Sequence, residues 1–93
     1  MGSYLLCNSR GNRCFIKQGT HFGELVSQLP GVSNVNVQFD RKNKLVDYTS
    51  QLGDNKLTIT VARRATIVSL EGDGSRTLKD LIEKKTKYRL VKN

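Results

Sequence analysis

Between Lys56 and Leu70 the chain alternates apolar and polar positions twice over. Leu57, Ile59 and Val61 are separated by Thr58 and Thr60, which is the two-residue period of a half-buried strand. After Arg63 and Arg64, the run Ala65 to Leu70 repeats the pattern in residues that suit a pleated surface. Folding the chain back about the two arginines sets Leu57 opposite Leu70, Ile59 opposite Val68 and Val61 opposite Thr66, all on one face. The other face receives small or polar side chains, as an antiparallel sheet covered on one side requires. A one-residue slip would send every side chain to the wrong face, so the pattern also fixes the register. Arg-Arg is a poor two-residue turn, and a four-residue loop from Ala62 to Ala65 is expected instead.

The same reading extends along the chain. Tyr4–Cys7 and Cys14–Lys17 are short apolar runs on either side of turn formers centred on Arg10-Gly11, a hairpin pattern that places Cys7 opposite Cys14. From Thr20, the residues Phe22, Leu25, Val26 and Leu29 follow helical spacing, and Pro30-Gly31 ends that helix. Val35, Val37 and Phe39 alternate with Asn34, Asn36 and Gln38 in a strand, which turns at Asp40–Asn43 and returns through Lys44–Tyr48. Phe15, Phe22 and Phe39 are assigned to the core by this pattern. A glycine-rich bend at 71–75 opens a second helix with Thr77 as cap and Asp80 as its partner. Leu78, Leu81 and Ile82 form its apolar stripe, and Asp80–Lys84 and Glu83–Lys87 are its expected i,i+4 ion pairs. Tyr88–Val91 alternates once more and predicts a short edge strand.

These elements predict one α+β domain over residues 1–93. It consists of an antiparallel sheet of about five or six strands with two short helices, in the order ββ-α-ββ-ββ-α. Each helix has one apolar stripe to bury, so both are expected on the oily face of the sheet. At 93 residues only one modest core is possible. The chain has no apolar run near the ~20 residues a membrane-spanning helix requires, and no membrane partner is expected. The start of the chain lacks the charge and apolar pattern of a secretion signal, which predicts an intracellular setting, cytoplasmic or organellar matrix. Placed opposite each other, Cys7 and Cys14 could form a cross-strand disulfide, although in such a setting free, buried thiols are the expectation.

Charge alters this picture more than composition does. Sixteen basic residues against eight acidic ones give a net +8, and about +5 of it falls in residues 76–93. A localised basic surface favours an anionic partner, RNA or DNA above all. The predicted contacts are Lys79, Lys84, Lys85, Lys87 and Arg89, assisted by Arg63, Arg64, Arg41 and Lys42. They would neutralise phosphates without chemistry. No RNP-type aromatic run, G-x-x-G clamp or zinc-finger spacing is present, and only Tyr4, Tyr48 and Tyr88 remain as stacking surfaces. The competing class is a protein-interaction module, an inhibitor or adaptor such as a viral one. It would dock an acidic partner surface or pair a sheet edge.

Catalysis has little to rest on. His21 is the single histidine and sits at a helix start, and no nucleophile or metalloprotease signature occurs. Two cysteines and one histidine fall short of the four ligands of a structural zinc site, so no metal or other cofactor is expected. The glycine bend resembles a phosphate cradle only loosely, because Glu71 and Asp73 would repel an anion and no Gly-Lys-Ser/Thr follows.

Overall fold

The computed structural model describes residues 2–14 and 18–93. Six strands form one antiparallel sheet: β1 (Gly2–Cys7), β2 (Val32–Asp40), β3 (Leu45–Leu52), β4 (Asn55–Val61), β5 (Thr66–Glu71) and β6 (Arg89–Lys92). Two helices interrupt them, α1 (Gly19–Ser27) and α2 (Ser75–Thr86). The strand order across the sheet is β2-β3-β4-β5-β1-β6, an α+β domain as the hydrophobic pattern predicts.

The β4–β5 hairpin carries the expected register, with Leu57 paired to Leu70, Ile59 to Val68 and Val61 to Thr66. Its four-residue loop is closed by the Ala62 N–H donating to the Ala65 carbonyl at 2.9 Å. Leu57, Ile59, Val68 and Leu70 bury against Phe22 and Val26 of α1 and Leu78 and Ile82 of α2. Both helices therefore cover the same face. Gly23 permits the approach of α1, since a Cβ there would come within 2.6 Å of the Tyr48 ring on β3. Tyr48 is buried, and burial together with the nearby Glu24 carboxylate holds its hydroxyl pKa above the ordinary value.

Four expectations change. Phe39 is 75% exposed and is not a core residue; its face is the helix-covered one, but α1 does not reach over it. Thr77 does not cap α2, which begins at Ser75 behind Gly74 with no side-chain cap. The Asn55 side chain instead accepts the Gly74 N–H at 3.1 Å, so the glycine bend is docked on a side chain and offers no open anion cradle. The expected pairs Asp80–Lys84 and Glu83–Lys87 do not form. Among the described residues the one ion pair is Lys79–Glu83 at 3.1 Å. The second oxygen of Glu83 accepts the Leu90 N–H of β6 at 2.8 Å, which turns the carboxylate away from Lys87. Finally, Cys7 and Cys14 are joined by a disulfide, not free.

The disulfide follows from the turn it closes. The Asn8 carboxamide accepts the N–H groups of Asn12 and Arg13, and the Asn8 N–H donates to the Arg13 carbonyl at 2.9 Å. That ladder brings the flanking cysteines side by side. The expected hairpin partner of β1 falls largely on residues 15–17, outside the described residues, while the two edges of β1 are taken by β5 and β6. Cross-linking residues seven apart removes roughly 2 kcal/mol of unfolded-chain entropy. Stabilities from thermal melts with and without a reductant should differ by about that amount, and identical melts would show that the two cysteines are not joined.

Candidate functional site

Every neighbouring strand pair is antiparallel, so strand direction alternates across the sheet. It follows that β2, β4 and β1 end, and β3, β5 and β6 begin, at one edge of the molecule. The β2–β3 turn, the β4–β5 loop, the Asn8–Cys14 turn and the segment entering β6 share that edge. Each of them is basic: Arg41, Lys42 and Lys44 on the first, Arg63 and Arg64 on the second, Arg10 and Arg13 on the third, Lys87 and Arg89 on the fourth. All nine are exposed. In strand order they form a band that crosses the sheet, five strand spacings or ~24 Å from end to end.

Local structure holds each position. Asn43 donates to the Asp40 carboxylate from its backbone at 3.1 Å and from its side chain at 2.8 Å. These bonds fix the β2–β3 turn and lower the Asp40 pKa below the usual carboxylate range, the side-chain bond contributing most. Asn43 and the β4–β5 loop residues Ala62, Arg63 and Arg64 line a shallow depression of about 600 Å³ between two of the basic turns. The Arg89 side chain lies against Gly11, where an added Cβ would come within 2.8 Å of its Cδ, and this joins the third and fourth groups. Lys87 takes the left-handed conformation, φ 65°, that ends α2, and its N–H donates to the Glu83 carbonyl at 2.9 Å.

The opposite end of the sheet holds Asp54 in the β3–β4 turn and Glu71 and Asp73 in the bend, offset by Lys56, Arg76 and Lys92, so the excess positive charge lies at one end of the strands. Since α2 runs from that end towards the basic one, Lys84 and Lys85 in its last turn add to the basic edge, and both are exposed. Lys79 does not belong with them. It is paired with Glu83, sits over the Tyr4 ring at 5.7 Å, and lies two helical turns (~12 Å) short of Lys87. Arg10, Arg13 and Lys44 stand in the band as well; the turn formers around each mark hairpin tips in the sequence, although the predicted contacts do not include them.

The predicted stacking tyrosines are not available. Tyr48 is buried, Tyr88 meets the Phe22 ring edge-on at 5.7 Å, and Tyr4 is packed against the core between Lys79 and Lys92. Among the described residues, Phe39 is the aromatic side chain that faces solvent. His21 is exposed on α1, and among the described residues no three His, Cys, Asp or Glu side chains gather as metal ligands. Nor is any helix among them long and apolar enough to cross a membrane. The chain matches no protein-family model, and no curated protein or solved structure is similar to it.

Proposed function

We propose that this chain is a non-enzymatic accessory protein that binds nucleic acid, RNA or DNA, through the basic edge of its sheet, as a subunit of a nucleoprotein assembly. One observation carries the reading: four segments distant in sequence bring nine exposed cations to one edge, and none of them has a carboxylate in ion-pair contact. A duplex running along a ~24 Å band presents about fourteen phosphate charges, at one per ~1.7 Å of axis. With Tyr48 buried and Tyr4 and Tyr88 packed against the core, contact is to phosphates and shape, not to base edges. The setting that goes with this reading is intracellular, and the Cys7–Cys14 disulfide is the feature that argues for an oxidising compartment instead.

Salt titration separates this function from docking on an acidic protein surface. Anisotropy of a labelled 20-mer should show log K falling linearly with log salt. Five contacts would give a slope near −4.5 for duplex DNA, or −3.5 for a single strand. Absence of binding at 50 mM salt would remove the reading and leave the protein-interaction class.

A further inference from the structure

The outer edge of β2 carries no strand among the described residues, and beyond the irregularity at its start it lacks the charged residues and prolines that usually blunt such an edge. From Val32 to Phe39 there is no charge and no proline. On the helix-facing side, Val35, Val37 and Phe39 are 43%, 40% and 75% exposed. They form one wall of a groove of about 320 Å³ whose other wall is α1, with Glu24 on it. Glu24 is exposed, and no cation among the described residues is in ion-pair contact with it. An exposed, charge-free alternating strand beside an exposed carboxylate has the character of an interaction surface.

We infer that the occupant is a second copy of this chain, paired antiparallel along β2 about a two-fold axis at Gln38. The register follows from the strand itself. An irregularity between Ser33 and Asn36, with Asn34 at φ 55° and its amide bonded to Gln51, ends regular pairing there. The regular section is Asn36–Asp40, and its centre is Gln38. Pairing about Gln38 sets Val37 opposite the other copy's Phe39, twice, giving the aromatic–β-branched cross-strand pair that stabilises sheets. Just past the regular section, Arg41 leaves β2 near the other copy's Val35, which lines the groove that contains Glu24. The two-fold makes this complementarity reciprocal, so each copy's Glu24 carboxylate gains the other copy's Arg41.

The result is a continuous twelve-stranded sheet with both α1 helices flanking the seam. Its two β2–β3 turns stand eight residue steps, ~26 Å, apart. The two basic edges then face opposite ways, each accessible.

Sedimentation velocity on the full chain, without nucleic acid, tests this. The wild type should reach twice the mass of the chain at tens of micromolar, and Phe39→Lys should remain a monomer. Circular dichroism of Phe39→Lys should stay native, because the side chain is already in solvent. Glu24→Arg and Arg41→Glu should each weaken the dimer about tenfold, and the doubly substituted chain should return to within about threefold of wild type, ~1.4 kcal/mol being lost and regained. Monomer at every concentration overturns the inference and assigns the strip to a different protein. A dimer indifferent to Phe39→Lys, or one whose charge swap fails to restore it, overturns the pairing.

Discussion

Replacing Arg63 and Arg64 together by alanine is expected to weaken duplex binding about 60-fold at 0.1 M salt and to flatten the salt slope by about 1.8. Each phosphate neutralised contributes ~0.9 to that slope, hence about eightfold in affinity at 0.1 M relative to 1 M, and the two arginines multiply. For a single strand the same arithmetic gives about 25-fold and a slope change of 1.4. The pair is chosen because its loop, closed by the Ala62–Ala65 hydrogen bond, lies inside the band between the β2–β3 turn and the Asn8–Cys14 turn. Both side chains are exposed, so melting should move by no more than about 0.5 kcal/mol. Lys79→Ala is the matching control. Lys79 is committed to Glu83 and Tyr4, and its loss should leave the slope where it was. If Lys79→Ala flattens the slope as far as the arginine pair does, the ligand runs along α2 and not across the sheet edge.

How far the sequence discloses this arrangement depends on the range of the contact. The β4–β5 register is readable because alternation on two adjacent runs leaves one pairing that sorts apolar from polar side chains. The position of β1 is not, because Gly2 pairs with Leu70 and Tyr4 with Lys92, and contacts that distant leave no local periodicity. Yet β1 matters most for the site: inserted between β5 and β6, it carries the Asn8–Cys14 turn to the same edge as the other basic turns. Alternation likewise says which face Phe39 occupies but not how far α1 extends over it, and so an exposed side chain reads as core. The ion pairs of α2 fail for a related reason. Intrahelical spacing offers Glu83 either Lys79 or Lys87, and the choice is made by the Leu90 N–H on a strand the helix pattern does not contain.

Stability provides the sharpest check on which aromatic belongs where. Phe22 is fully buried and meets Tyr88 edge-on at 5.7 Å, so one ring ties α1 to the link between α2 and β6. Phe22→Ala removes its transfer free energy and leaves a cavity that fixed strands on the other side cannot collapse into, a loss of about 4 kcal/mol. That is a large part of the ~5–10 kcal/mol expected for a domain of this length, and the melting temperature should fall by ~20 °C. Phe39→Ala removes the same atoms from a side chain already in water and should cost about 0.5 kcal/mol or less in the monomer, measured at concentrations below association. Because Tyr88 lies between Lys87 and Arg89, loosening the Phe22 contact should also reduce oligonucleotide affinity before the protein melts, whereas Phe39→Ala should not. Comparable melting losses for the two phenylalanines would mean that β2 is covered and that the exposed strip, with the pairing drawn from it, does not exist in solution.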